Sequence, residues 1–182
     1  MEKSVFLRNR AEWEKIFPLK RNVNWTGGKI ENGYCADCRL CCGPQGDDDP
    51  FPMALLDEQT GPANALDFFM MDSHTACLGR DGCKSLGPAG CKLEQSRRPP
   101  ACGLFPVVLI DGRLYFYKAC PAVTLASSQE LEALALKAWK YLKNLPEKDC
   151  RRISISIPAD EIAKKYIDTG LEVFVGIKSL RG

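Results

Sequence analysis

The sequence predicts a single small α+β domain with a cysteine-rich, loop-dominated half. Ten cysteines stand among 182 residues, a β-hairpin signal covers residues 107–117, and a capped helix signal covers residues 127–144. We expect one domain over residues 1–182, with a cysteine-cluster region at about 33–122 and a helical and strand-forming part at 123–182. A small antiparallel sheet and two or three helices would back the cysteine-rich half.

Two early segments carry weaker signals. Residues 11–17 show apolar side chains at helical spacing, and residues 20–33 are polar and contain Gly27-Gly28, which is typical of a loop. Residues 64–71 have mixed periodicity, so a helix and a strand both stay open for that segment.

The strongest local signals follow Pro106. Two β-branched and aromatic runs, at 107–110 and 114–117, flank Asp111-Gly112, a dipeptide that accepts positive φ in a hairpin turn. A Ser-x-x-Glu capping box at residues 127–130 opens a helix that should end near Asn144. Its apolar side chains recur at helical spacing and predict a core face: Leu131, Leu134, Ala135, Ala138, Tyr141, Leu142 and Leu145.

The C-terminal pattern predicts three further elements. Residues 153–157 alternate strictly between apolar and polar, which indicates a strand with one buried face. Residues 160–168 read as a short helix with Gly170 at its end, and residues 171–177 as a final strand.

Composition and charge exclude several classes of function. The net charge of +2 gives no electrostatic case for nucleic acid or an anionic membrane. We find no signal peptide, no apolar run of about 18 residues and no glycine-rich nucleotide motif. We therefore expect a cytoplasmic protein with reduced thiols, in which cysteines bind metal or do redox chemistry. Five disulfides in an exported protein are the alternative reading.

Four cysteines fall within eight residues and narrow the chemistry. Thiolates select zinc, copper(I) or iron–sulfur clusters. Cys35, Cys38 and Cys41 follow each other at even intervals, the C-x₂-C-x₂-C pattern with which bacterial ferredoxins hold a [4Fe–4S] cluster. A cysteine followed by proline completes that pattern, and Cys120-Pro121 supplies one far downstream. Structural zinc sites use two well-separated cysteine pairs instead.

A second group of cysteines follows in residues 72–104, a segment with too few apolar side chains to form a core alone. We expect metal to order it. The side chains of adjacent residues point in different directions, so Cys42 does not point the same way as Cys41. Cys42 would therefore bind a second metal centre, bridge between centres, or be buried without binding metal. Two four-thiol sites and one cluster with additional structural thiols both stay open. The second group is Cys83, Cys91 and Cys102, interspersed with Lys84, Lys92, Arg97 and Arg98, which either offset thiolate charge or are solvated.

The motifs resemble the YkgJ-type cysteine-cluster family, described as zinc- or iron-chelating proteins. The family signature C-x-x-C-x-x-C-C matches residues 35–42, and Arg98-Pro99 to Phe105-Pro106 matches its R-P-x-x-C-x-x-F-P pattern. The similarity covers residues 33 to 122, and the interval from Cys91 to Arg98 is one residue longer than usual. It implies eight metal ligands: Cys35, Cys38, Cys41, Cys42, Cys83, Cys91, Cys102 and Cys120. Cys77 and Cys150 fall outside that set, and we expect Cys150 to be a small buried side chain.

Three functions are compatible with these residues. The first is a cytoplasmic metal-binding protein with an iron–sulfur cluster, most simply [4Fe–4S], in electron transfer or as an accessory to an enzyme or maturation pathway. The second is a structural zinc module that binds a protein partner. The third is a metal-dependent redox or methyl-transfer enzyme, in which one metal position would stay open.

Overall fold

Short helices and antiparallel hairpins make up the structure, a computed structural model that describes residues 9–43, 52–62 and 64–175. The predicted α+β class is confirmed. The chain forms two compact units, one of Met1–Asn32 with Leu104–Gly182 and the other of Gly33–Gly103. The cysteine-rich unit thus ends at Gly103, earlier than the region expected from the motifs.

Within the described residues, the helices are α1 (Arg10–Ile16), α2 (Cys35–Cys38), α3 (Asn64–Asp67), α4 (Pro100–Leu104), α5 (Pro121–Thr124), α6 (Ser128–Asn144), α7 (Glu147–Ile153) and α8 (Ala159–Lys165). The strands are β1 (Val23–Thr26), β2 (Lys29–Asn32), β3 (Pro52–Ala54), β4 (Phe69–Asp72), β5 (Thr75–Cys77), β6 (Leu86–Gly87), β7 (Gly90–Cys91), β8 (Val107–Ile110), β9 (Arg113–Tyr117) and β10 (Tyr166–Glu172). Single 3₁₀ turns lie at Asp57–Gln59 and Gln95–Arg97.

The predicted hairpin and the predicted long helix form the core of the first unit. Strands β8 and β9 pair antiparallel through Asp111 and Gly112, both of which have positive φ. Helix α6 begins at the predicted capping box, in which Ser127 and Glu130 bind each other's backbone N–H. It ends at Asn144, as expected, and its buried side chains lie on the predicted face: Leu134, Ala135, Ala138 and Leu142.

The loop expected at residues 20–33 is wrong, because β1 and β2 form a hairpin there. Gly27 and Gly28 make its turn with φ values of 57° and 81°. Two consecutive positive φ angles are what a tight hairpin turn requires. Tyr141 of α6 packs against this turn and Trp25, at a ring-centroid distance of 5.9 Å to the tryptophan. The glycine pair was therefore a hairpin signal.

The strand expected at residues 153–157 is also wrong. Helix α7 runs through Ile153, and Ile155 forms a single parallel bridge to Ile110. The expected final helix is α8, but it ends at Lys165, and Gly170 lies inside β10 instead of at the helix end. The final strand is β10, Tyr166–Glu172, and not residues 171–177, the last two of which lie outside the described residues. β10 pairs with β9 and completes the sheet of order β10-β9-β8, so pairing with an existing edge overrides the local helical pattern.

The cysteine-rich unit has a small core of its own. A three-stranded antiparallel sheet of order β3-β5-β4 and the hairpin β6-β7 provide its regular structure. A helix and a strand both stayed open for residues 64–71, and the structure contains one of each: α3 ends at Asp67, and β4 begins at Phe69. Three of the six buried side chains in this core precede residue 72. Apolar residues from outside the cysteine-rich segment 72–104 therefore help to order it. The buried members of the core are Met53, Leu55, Phe68, Ala76, Leu78 and Leu93.

We expect Leu55→Ala to lower the free energy of unfolding by about 2–5 kcal/mol, the cost of a cavity at a fully buried leucine. Leu55 is 0% exposed, whereas Leu66 in the same unit is 77% exposed. Leu66→Ala is the matched control and should change stability by less than about 0.5 kcal/mol. Urea denaturation followed by circular dichroism measures both, and equal losses would contradict this placement of the core.

Among the described residues, no helix combines the length and apolar character that a membrane crossing needs.

Candidate metal centre

The first four cysteines lie on one helical turn and the reversal that follows it. Tyr34, which is buried, precedes α2, and its carbonyl accepts the Cys38 N–H at 2.9 Å. Arg39 ends the helix in the left-handed conformation with φ of 50°. Its carbonyl accepts the Gly43 N–H at 2.8 Å, so the chain turns back through Cys41 and Cys42. Residues 35–42, called the octet below, therefore combine a helical turn with a tight reversal.

The segment that carries Cys83 is hydrogen-bonded directly to this reversal. The Cys83 N–H donates to the carbonyl of Cys42 at 2.8 Å. Gly82 has a φ of +97°, and a Cβ there would lie 2.6 Å from the Cys42 carbonyl oxygen. Glycine is required on both grounds, because it tolerates positive φ and lets the two backbones approach. Cys42 and Cys83 are thus brought together by main-chain contacts.

Cys91 reaches the same region on the short hairpin β6-β7, which contacts α2. Gly90 has a φ of +103°, and a Cβ there would lie 3.3 Å from the Cα of Ala36. Arg39 links α2 to the β6-β7 hairpin, because its guanidinium donates hydrogen bonds to the carbonyls of Ala36 and Pro88. A glycine directly before the cysteine again permits the close approach.

Cys102 comes from α4 and faces the core of the unit. Its N–H donates to the Pro99 carbonyl at 2.9 Å, and its thiol lies 3.4 Å from the Met53 sulfur. Cys102 and Cys83 both pack against the apolar cluster that contains Met53. One side of the cysteine group is therefore apolar and shielded from water.

The thiols interact electrostatically and disfavour one another's ionised form. Burial, followed by the charges of Cys42 and Cys38, raises the pKa of Cys35 to about 12. Burial raises the pKa of Cys102 as well, and the thiolates of Cys42, Cys83 and Cys91 add to that effect. Burial also raises the pKa of Cys83, with smaller contributions from Cys42 and Cys91. Sulfurs from four separate segments thus lie within electrostatic reach of each other.

Cys42 is the exception and the centre of this group. A hydrogen bond with the thiol of Cys41, at 3.9 Å between the sulfurs, lowers the pKa of Cys42 to about 7. Its charge acts on Cys35, Cys83 and Cys102. Burial raises the pKa of Cys35, Cys83 and Cys102, whereas the pKa of their neighbour Cys42 is lowered.

Of the three remaining cysteines, two belong to the other unit and one lies in β5. Cys120 belongs to the other unit, where it is buried at the start of α5 and its sulfur accepts a hydrogen bond from Asn32 at 3.5 Å. Cys150 is buried in α7, as the sequence predicts, and its thiol donates to the Leu142 carbonyl. Cys77 lies half-buried in β5, opposite Pro52 and Phe69.

The donor set fits a soft metal by its chemistry. The cysteines of residues 35–42 together with Cys83, Cys91 and Cys102 give seven neighbouring thiols, and thiolates bind zinc and iron–sulfur clusters. In residues 9–43, 52–62 and 64–175, no three Cys, His, Asp or Glu side chains stand at a spacing that already suits a metal ion. The thiols are neighbours, and their side chains would have to move before they could coordinate a metal ion together.

Three residues of this site were not assigned a role from sequence. Gly82 and Gly90 each precede a cysteine, and that repeated Gly-Cys pair is a signal that could have identified the two close approaches. Arg39 carries no such signal, because a left-handed arginine is uncommon and its bond to Pro88 joins residues 49 apart in the chain.

In comparisons with known proteins, no family model, no curated protein and no solved structure matches this chain. The similarity to the YkgJ-type pattern stays a resemblance of motifs. The geometry of the cysteine-rich unit is therefore the basis for the function proposed below.

Proposed function

We propose that this protein binds metal through the cysteines of the Gly33–Gly103 unit, and that the centre is an iron–sulfur cluster with an electron-transfer or accessory role. The observation that carries the proposal is the convergence of thiols from four segments. Cys42, Cys83, Cys91 and Cys102 are separated by up to 60 residues in the chain, yet they interact in the folded unit.

This convergence has an electrostatic cost that a cation would remove. Burial is the first cause that raises the pKa values of Cys35, Cys83 and Cys102 above the ordinary thiol value, and repulsion between neighbouring thiolates adds to the rise. Without a bound metal, adjacent thiols in one partly exposed cluster are also prone to oxidation. A metal stabilises the thiolates together, so its binding free energy contributes to folding.

The arrangement suggests which residues hold which centre. Cys35, Cys38 and Cys41 follow the ferredoxin spacing and would hold corners of an iron–sulfur cluster together with a more distant cysteine. Cys42, Cys83, Cys91 and Cys102 supply a second set of four thiols. A bound iron–sulfur cluster supplies one-electron redox chemistry. The chain's own contribution is to hold the thiols beside an apolar core and to exclude water from that side.

A structural zinc site in a protein-binding module is the second candidate. The four interacting thiols of Cys42, Cys83, Cys91 and Cys102 match the Cys₄ set of a closed tetrahedral zinc site. Zinc has no redox chemistry, so this candidate predicts a colourless protein without electron-transfer activity.

The test is metal and acid-labile sulfide analysis of protein purified without oxygen, together with its visible spectrum. We expect brown protein that contains iron and sulfide in near-equal amounts. Colourless protein with stoichiometric zinc would replace the electron-transfer role with the structural one. Protein that holds neither metal, even after reconstitution with iron and sulfide or with zinc, would overturn both candidates.

Cys38→Ser tests the octet itself. Cys38 lies on α2 and acts on the thiol of Cys35, so its loss should lower the bound iron per chain. Cys150→Ser is the control, because Cys150 is buried in the other unit and should leave metal content unchanged. Equal iron per chain in Cys38→Ser and the wild type would show that the octet is not the site.

A further inference from the structure

We propose that Arg39 is a positioning residue, which holds the tip of the β6-β7 hairpin against α2 and so keeps the Cys91 thiol within the cysteine group. The inference rests on the proposed function, because it assumes that Cys91 is one of the metal ligands. Arg39 acts through main-chain carbonyls and is not itself a ligand.

The backbone at Arg39 is strained, and another residue type would suit it better. Arg39 ends α2 with a φ of 50°, in the left-handed region. Helices commonly end with a residue in this conformation, and that residue is usually glycine, because a Cβ there crowds the backbone. Backbone strain at a candidate site suggests that the strained residue is required for its side chain. We therefore asked what the arginine side chain contacts.

The side chain of Arg39 joins two segments that are far apart in the sequence. Its Nε donates to the carbonyl of Ala36, within α2, at 3.1 Å. A terminal guanidinium nitrogen donates to the carbonyl of Pro88, which lies in the two-residue turn between β6 and β7. Because the guanidinium is planar and rigid, two hydrogen bonds from one group fix its direction. The side chain therefore connects α2 to the tip of the hairpin.

The hairpin also packs closely on α2 next to this connection. Gly90 has a φ of +103°, and a Cβ there would lie 3.3 Å from the Cα of Ala36. Ala36 directly follows Cys35, and Gly90 directly precedes Cys91. The contact between the two segments thus has a cysteine next to it on each side, and Arg39 holds the same two segments together.

The hairpin itself is short. Its strands have two residues each, and they pair Leu86 with Cys91 and Gly87 with Gly90. The Lys92 N–H donates to the Ser85 carbonyl at 2.9 Å and extends this pairing by one step. A two-stranded hairpin by itself is marginally stable at best in water. The tertiary connection through Arg39 therefore determines how rigidly Cys91 is held.

Rigid placement of a ligand raises metal affinity, because less ordering is left for the metal to impose. Residues that orient ligands without touching the metal typically contribute 10–100-fold to affinity. Without the Arg39 side chain, metal binding would have to order the hairpin as well. Glycine at position 39 would remove the side chain and relax the backbone at the same time, so it separates positioning from folding.

Arg39→Gly should weaken binding of Co²⁺, measured against a competing chelator, by about tenfold. If the protein takes up a cluster instead of Co²⁺, loss of iron to the same chelator is the measurement. The urea midpoint of the metal-free chain should be unchanged or higher, because glycine accepts the left-handed conformation. A midpoint that falls together with the affinity would assign Arg39 a folding role and overturn the proposal.

Arg97→Gln is the control for charge. It removes one positive charge from the same unit, but Arg97 pairs with Asp67 and not with the hairpin. We expect its metal affinity to equal that of the wild type. Equal losses in Arg97→Gln and Arg39→Gly would show that net charge matters and that the connection to the hairpin does not.

A double-mutant cycle with Cys91→Ser tests whether Arg39 acts through Cys91. Residues that share one effect are not additive. In the Cys91→Ser background, Arg39→Gly should therefore weaken metal binding by less than about twofold. The same tenfold loss in both backgrounds would show that Arg39 does not position Cys91, and would overturn the proposal.

Hydrogen exchange in the metal-free protein tests the connection without any metal. Local opening exposes amides to exchange, so the amides of residues 86–92 should exchange faster in Arg39→Gly than in the wild type. Those of β5 should exchange at equal rates in both. Unchanged exchange at residues 86–92 would overturn the proposal. A wild-type protein that binds neither Co²⁺ nor a cluster would instead overturn the proposed function.

Discussion

Cys42→Ser should weaken metal binding by more than about 100-fold, beyond the 10–100-fold cost that outer-shell substitutions cause. Cys42 interacts with Cys35, Cys83 and Cys102, and its pKa is lowered to about 7 whereas theirs are raised. A serine hydroxyl remains protonated at neutral pH and is a poor ligand for a soft metal. Competition with a chelator measures the loss.

The matched control for this variant is Cys77→Ser. Cys77 lies in the same unit, is half-buried, and falls outside the expected ligand set. We expect its metal affinity to equal that of the wild type. If Cys42→Ser and Cys77→Ser lose affinity equally, the loss reflects damage to the fold, and the central position of Cys42 is wrong.

The metal affinity of the wild-type protein should rise steeply with pH. Metal binds the thiolate, so each thiol that is protonated in the free protein releases a proton on binding, and the affinity increases as pH rises. Burial raises the pKa of Cys83 and Cys102, so both should release protons throughout the range of about pH 6–8. We expect the logarithm of the Zn²⁺ affinity to rise by about two or more per pH unit there.

Because of Cys42, the slope of the logarithm of the affinity against pH should change near pH 7. Since the pKa of Cys42 is lowered to about 7, this residue releases a proton on metal binding below that pH but is largely ionised above it. The slope should therefore be steeper by about one below pH 7 than above it. Titrations must be corrected for protonation of the competing chelator. An affinity that does not change with pH would exclude coordination by these thiols.

In the first unit, the sequence predicted an element correctly where all the residues that specify the element lie in one segment. The β8-β9 hairpin follows from two β-branched and aromatic runs around Asp111-Gly112, and α6 follows from its capping box and apolar periodicity. Both depend on contacts within about 20 residues, which a linear pattern can encode. The alternation at residues 153–157 misled, because helix α7 continues through Ile153 and only Ile155 bridges to Ile110 of β8.

The sequence also predicts the residue types of a candidate metal site, and that prediction stays open. Eight cysteines at specific spacings, with thiolate chemistry that favours soft metals, pointed to a metal centre without any coordinates. The preference of Cys150 for burial was predictable too, because an isolated cysteine behaves as a small apolar side chain.

By itself, then, the sequence determined the thiol chemistry and the elements with local signals, since those depend on side-chain type and short-range spacing. Tertiary structure decided which thiols are neighbours: it places Cys42 and Cys91 each beside Cys83 and Cys102, and it places Cys120 in a different unit. Such pairings depend on backbone contacts between distant segments, such as Gly82 against Cys42, and no spacing within one segment encodes them.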